Sequence, residues 1–147
     1  MAAGTIYVAT DFSPASERAF DAALDMAKLR GAELVIGHVI PTPGVLGYGV
    51  GEVTEAVDTR VQEGVSNKLE ALRLKAGRAG VPARTEILGG SPYDALAEAA
   101  GKAHAAMLVL GTHGRTGFSR MVMGSVAAHL LCTAPCPVLT VRDIAAA

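Results

Sequence analysis

Apolar residues along this chain fall into short, nearly continuous runs, separated by longer stretches in which they recur every three or four positions. The first run, Thr5 to Thr10, is β-branched and apolar and stops at Asp11, which predicts a strand. Ser13-Pro14 then reads as a helix cap followed by proline at the first helical position. Phe20, Ala23, Leu24 and Ala27 carry that helix to Gly31, a natural stop. Glu33 to Ile40, with Leu34, Val35, Ile36 and Val39, predicts a second strand covered on both faces. Val53, Val57, Val61, Val65, Leu69, Leu72 and Ala76 mark one long amphipathic helix ending near Gly77 to Gly80. Arg84 to Leu88 is a short third strand. Ser91-Pro92 repeats the cap-and-proline signal and, with Asp94 in the first turn, opens a helix through Leu96 to about Ala103. Ala106 to Leu110 is a fourth strand ended by Gly111, Ser125 to Cys132 a fourth helix, and Pro137 to Val141 a fifth strand.

Strands that alternate with helices in this way predict a doubly wound α/β fold, with a parallel sheet and right-handed crossovers. The expected arrangement is five strands in order 3-2-1-4-5 with two helices on each face, and residues 1–147 as a single domain. Ligands of such sheets bind beyond the carboxyl ends of the strands where the order reverses. If strands one and four flank that reversal, Asp11 and the segment starting at Gly111 share one crevice. Pro41 to Gly51 holds two prolines and four glycines without any period, so it is expected to be a loop, with the reach to act as a lid.

From the end of the fourth strand the chain reads Gly111-Thr112-His113-Gly114-Arg115-Thr116-Gly117-Phe118-Ser119-Arg120-Met121-Val122-Met123-Gly124-Ser125. Spaced glycines let backbone N–H groups approach and line a concave surface for phosphate oxygens. Gly124-Ser125 opens a helix whose unpaired N–H groups and positive dipole end suit an anion, and the serine hydroxyl adds a donor. Arg115 and Arg120 bring charge nearby, or are solvated loop residues. The segment is not a P-loop, because no Gly-Lys-Ser/Thr follows. Nor is there a dinucleotide fingerprint: Gly47-Tyr48-Gly49 comes nearest, with Glu52 where a third glycine would stand.

Gly111, Gly114, Gly124 and Ser125 match Gly-x2-Gly-x9-Gly-Ser/Thr without a gap, and in this the chain resembles the ATP-binding members of the universal stress protein family. The resemblance extends over nearly the whole chain, through Val8-Ala9-Thr10-Asp11-Phe12-Ser13, His38-Val39-Ile40 and Ala134 to Arg142. It implies the adenine nucleotide alpha hydrolase-like form of the doubly wound fold. It also implies a ligand, ATP or else ADP or AMP, with Mg²⁺ held mainly by phosphates and water. By position, Asp11 with the backbone of Ala9 and Thr10 would meet ribose or adenine, and Val39 would hold adenine through its main chain. Leu110 would line the pocket, Gly111 and Gly114 would contact ribose and phosphates, and Gly124, Ser125 and Val126 would close on the phosphate tail. Two departures stand out: Ala9 occupies a position where relatives often have proline, and Ala127 one where a hydroxyl is common. The family also pairs through its terminal strand, so a homodimer joined along Val138, Leu139 and Val141 is expected.

Composition narrows the partners. Thirteen Lys and Arg against fourteen Asp and Glu give a net charge of −1, so no strong field draws the chain to nucleic acid or an anionic membrane. Six aromatic residues and no tryptophan supply few stacking platforms. The first eleven residues lack the pattern of a signal peptide and no apolar run approaches a bilayer's width, which makes a cytoplasmic protein the expectation. Cys132 and Cys136 are expected as reduced thiols. Their spacing with His129 invites zinc, but the other histidines, His38, His104 and His113, lie elsewhere in the chain, so no metal site is assigned. Tyr48 could fold over a base and is not ranked among the site residues. Ser125 or Ser119 with His113 lacks the strained elbow of a nucleophile, and no general base is placed by sequence beside the phosphates. The reading is therefore a nucleotide-responsive stress regulator with, at most, slow ATP hydrolysis and no assigned catalytic residue. The rivals are a small ATP hydrolase or nucleotidyl-transfer enzyme using the same loop, and a scaffold with an empty site. Asp11 has a structural alternative too, as a cap of the first helix.

Overall fold

The computed structural model describes residues 4–41, 55–112 and 123–143. Its elements are β1 (Thr5–Ala9), α1 (Pro14–Arg30), β2 (Glu33–Pro41), α2 (Glu55–Arg78), β3 (Ala83–Gly90), α3 (Pro92–Lys102), β4 (Ala105–Gly111), α4 (Ser125–Thr133) and β5 (Val138–Val141). The strands make one five-stranded sheet in the order β3-β2-β1-β4-β5, and every neighbouring pair is parallel. The predicted strand order stands, and the order reverses between β1 and β4. Most of the 41–51 loop lies outside the described residues.

Strand alternation sorts the core into two layers. Ile6 and Val8 of β1, with Leu34, Ile36 and Val109, face α1 through Ala19, Phe20 and Ala23 and α2 through Leu69 and Ala76. Tyr7 and Ala9, with Val35, Leu108 and Leu110, face α3 through Leu96 and Ala99 and α4 through Ala127 and Leu130. This is the period-two partition of a sheet buried on both sides.

Helix boundaries follow the sequence signals with one difference. Ser13 caps α1, its hydroxyl accepting the Ser16 N–H at 3.2 Å, and Gly31 ends the helix at φ 62°, a left-handed conformation suited to glycine. Ser91 occupies the same place before α3, yet its side chain makes no capping hydrogen bond; its carbonyl accepts the first intrahelical bond, from Ala95 N–H at 2.9 Å, as that of Ser13 does from Glu17. The valine stripe of α2 is only partly core. Leu69 and Ala76 are buried and Val65 and Leu72 half-buried, but Val61 is 45% exposed. Steps of four residues advance about 40° around a helix, so Val61 has turned roughly 80° from Leu69 and sits at the margin of the buried stripe. Val53 lies outside the described residues.

One polar side chain crosses the core of the sheet. Tyr7 is fully buried on β1, and its hydroxyl donates to Glu86 Oε2 on β3 at 2.9 Å. It reaches there because Gly37 of β2, paired with Ala9 and with Glu86, has no side chain; a methyl at 37 would lie inside the phenol. Arg84 Nη1 donates to the other oxygen, Glu86 Oε1, at 2.7 Å. Burial pushes the Tyr7 phenol far above its ordinary value of 10.0, and the hydrogen bond to Glu86 and the charge of that carboxylate push it the same way. Folded Tyr7 keeps its proton where an unfolded tyrosine has lost it, so its contribution is complete below pH 10 and declines above. The slope from this group is about 1.4 kcal/mol per pH unit. Urea titrations between pH 9 and 11 should show the unsubstituted protein losing stability more steeply than Tyr7→Phe; parallel profiles would remove Tyr7 from the account.

Candidate functional site

The strand order reverses between β1 and β4, and ligands of such sheets bind beyond the carboxyl edge at that place. Ala9 ends β1, Thr10 and Asp11 follow it, Leu110 and Gly111 end β4, and Val39 lies near the end of β2. Gly124, Ser125 and Val126 form the start of α4. Ala9 and Leu110 are buried in the apolar cluster beneath α3 and α4, and Val39 and Val126 pack against that same cluster. Thus four of the expected residues, from four separate elements, belong to one apolar cluster. Gly114, with Arg115 and Arg120, lies outside the described residues.

The β1–α1 turn is held from several sides. Thr10 N–H donates to Gly37 O at 2.9 Å, extending the ladder with β2 past the end of β1. The buried Thr10 hydroxyl accepts from Phe12 N–H at 3.0 Å and donates to Ser16 Oγ at 3.1 Å; the Ser16 hydroxyl donates in turn to Ser13 O at 2.9 Å. His38 Nδ1 lies 2.7 Å from Thr10 O, and because a carbonyl only accepts, that nitrogen carries the proton. Phe12 has φ 64°, rare for an aromatic residue. Its ring packs on His38 at 4.7 Å between centroids, with the Lys68 ammonium 5.0 Å from the ring centre. Surroundings of this kind hold a strained residue in place.

Within that turn Asp11 Oδ1 accepts the Ser13 N–H at 2.9 Å. The cap of α1 is Ser13, so Asp11 is an Asx-turn residue rather than the helix cap. Among the described residues no hydrogen bond reaches Asp11 Oδ2. The half-buried carboxylate is therefore fixed at one oxygen and, among the described residues, without a hydrogen bond at the other.

Gly111 has a packing reason of its own. A Cβ there would lie 2.9 Å from the Ala15 carbonyl carbon and Cβ and 3.0 Å from the Ser16 nitrogen. The bare backbone of β4 thus rests directly on the first turn of α1. Thr112 continues past it, its N–H donating to Val141 O of β5 at 2.9 Å and its carbonyl accepting the Gly124 N–H, so the start of α4 is tied back to the end of β4.

Gly124 is the N-cap of α4 at φ −58° and ψ 147°, an extended conformation open to any residue, and no side chain caps the helix. Ala128 N–H is the first to find an intrahelical acceptor, Gly124 O at 3.0 Å. The N–H groups of Ser125, Val126 and Ala127 have no acceptor within the helix. Beside them stands a residue that sequence reasoning passed over. Tyr93, in the first turn of α3, places its hydroxyl 2.8 Å from Ser125 Oγ, and its ring meets His129 edge-on at 5.1 Å. Only its place after Ser91-Pro92, next to a helix start, hinted at this. A separate groove of about 580 Å³, lined by Glu86, Leu88, Asp94, Glu98 and Lys102 among others, lies between β3 and α3 and includes none of the expected residues.

The fold is a doubly wound α/β domain with helices on both faces of a parallel sheet, and comparison with known proteins sharpens this. The model of the universal stress protein family matches residues 3–142, and the chain belongs to that family. A universal stress protein of Methanocaldococcus jannaschii is 33% identical over 137 residues, spanning 93% of this chain and 81% of that protein. A solved structure of a hypothetical protein from the same organism superposes with TM-score 0.86 over 99% of this chain and 100% of its own, a likeness of fold at 23% identity. A universal stress protein solved in complex with cAMP is 28% identical with TM-score 0.74, covering 96% of this chain and 98% of that one. One from Archaeoglobus fulgidus solved in complex with dAMP is 25% identical with TM-score 0.67, covering 96% and 99%.

The packing at Gly111 makes a prediction that involves no ligand. Gly111→Ala forces a methyl against α1 backbone and should cost about 1–3 kcal/mol of stability. A chemical denaturation curve of the ligand-free variant measures this, and an unshifted midpoint would mean that the close approach is relieved at no cost.

Proposed function

We propose that this chain binds ATP, or a closely related adenine nucleotide, in the crevice between β1 and β4, and acts as a nucleotide-responsive regulator rather than primarily as an enzyme. The observation that carries the reading is Gly124. Its backbone angles do not require glycine, and Ser, Asp or Asn would serve a helix N-cap somewhat better. What glycine supplies there is an unobstructed approach to the first-turn donors of α4, which an anionic phosphate would use. The family relatives solved with cAMP and with dAMP support an adenine nucleotide as the ligand class.

The described residues suit such a ligand in three parts. Asp11, fixed through Oδ1, offers Oδ2 to hydroxyl or amino donors of the nucleoside. Ala9, Val39, Leu110 and Val126 give apolar surface for the base and sugar. The N–H groups of Ser125, Val126 and Ala127 and the Ser125 hydroxyl meet the phosphates, with Gly114 completing the glycine set. In this reading Gly111 contributes backbone only, since its missing side chain is already accounted for by α1.

The regulator is proposed to work as a homodimer. β5 is an edge strand whose Val138, Leu139, Thr140 and Val141 are all half-buried, leaving apolar surface on an unpaired edge that a second copy would cover. Sedimentation at micromolar concentration should give twice the chain mass; a stable monomer would remove the dimer from the proposal.

Calorimetric titration with Mg-ATP tests the site itself. Gly124→Val should abolish measurable binding while the fold survives, because valine is allowed at these backbone angles and costs only about 1 kcal/mol at a cap. Ser125→Ala removes one donor to a charged acceptor, and binding should weaken by roughly ten- to a hundredfold, about 1.5–3 kcal/mol. Normal binding by a folded Gly124→Val protein would sink the nucleotide reading. ATP turnover measured alongside separates the regulator from a hydrolase or nucleotidyl-transfer enzyme.

A further inference from the structure

α3 and α4 lie side by side on one face of the sheet, and both begin at its carboxyl edge. Ser125 and His129 are four residues apart on α4 and so point to the same side of that helix. Tyr93 spans both: its ring is held edge-on by His129 and its hydroxyl meets Ser125 Oγ. We propose that Tyr93 is a positioning residue for the Ser125 hydroxyl, orienting its proton toward an anionic ligand oxygen at the start of α4. This rests on the nucleotide reading above and extends it to the β3–α3 side of the crevice.

The direction of the hydrogen bond follows from acidity. A phenol is a stronger acid than an aliphatic alcohol, so tyrosine is the better donor of the two and the serine oxygen the better acceptor. With Tyr93 donating, one lone pair of Ser125 Oγ is filled and the serine proton is left to donate elsewhere. A serine hydroxyl without such a partner rotates freely and must be ordered when a ligand arrives. The chain Tyr93 O–H to Ser125 O–H to phosphate oxygen also polarises the serine, strengthening its donation to a charge. Neither the Tyr93 hydroxyl nor Ser125 is deeply buried, so the pair is not needed to fill the core.

The test is a double-substitution cycle read with two titrants, Mg-ATP and adenosine. Tyr93→Phe keeps the ring against His129 and removes only the hydroxyl; it should weaken Mg-ATP binding by about three- to tenfold. Adenosine, which has no phosphate to meet Ser125, should bind Tyr93→Phe and the unsubstituted protein alike. In a Ser125→Ala background, Tyr93→Phe should have no further effect on Mg-ATP. A structural role would weaken both titrants together and persist in the Ser125→Ala background, and that result overturns the proposal. So does Mg-ATP binding by Tyr93→Phe that is unchanged or tighter, the latter meaning that the phenol competes with the ligand for serine. An unsubstituted protein that binds no Mg-ATP overturns the nucleotide reading and this inference with it, whereas the other failures overturn this inference alone.

Discussion

Where β4 ends and α1 begins, two backbones touch with no side chain between them. Gly111 lies against Ala15 and Ser16 at distances a Cβ could not occupy, and the rest of the carboxyl edge is arranged around that contact. It brings the end of β4 onto the first turn of the helix that leaves β1. Thr112 then reaches β5 through its N–H and the start of α4 through its carbonyl, which fixes the origin of α4 relative to the same point. A larger residue at 111 would move the β4 terminus and, through Thr112, the helix start.

The β1–α1 turn is made rigid by polar groups satisfied among themselves. Phe12 N–H, the Thr10 hydroxyl, Ser16 Oγ and Ser13 O form a continuous relay, and Thr10, Ser13 and Ser16 are all buried. Buried polar groups are tolerated when each has a partner, and such networks favour one conformation over near alternatives. Here that conformation includes a left-handed phenylalanine, stabilised by His38 on one side and Lys68 of α2 on the other. Asp11 is carried in this frame, so its carboxylate has little freedom of its own before any ligand arrives. Pre-ordering of this kind lowers the entropy lost on binding.

The apolar pattern, the two Ser-Pro starts and the glycine stops determined the elements, the parallel sheet and its order, because each is a local signal repeated along the chain. The family, too, was legible in Gly111, Gly114, Gly124 and Ser125. Tertiary structure decided what these residues touch. Gly111 read as a ligand-facing glycine, and the structure adds a close approach to α1, a contact across almost a hundred positions that no local pattern encodes. Tyr7 read as one more strand residue, and only the side-by-side placement of β1, β2 and β3 shows its hydroxyl passing over Gly37 to Glu86. The repeat of Val61 matched the core stripe, yet the slow rotation of four-residue steps carried it to the margin. Tyr93 had only its place at a helix start as a signal, since its meeting with Ser125 depends on α3 and α4 packing on the same face. Sequence thus set the periodicities and the backbone options, which are properties of neighbours in the chain, while distances between side chains from different elements existed only once the sheet had brought those elements together.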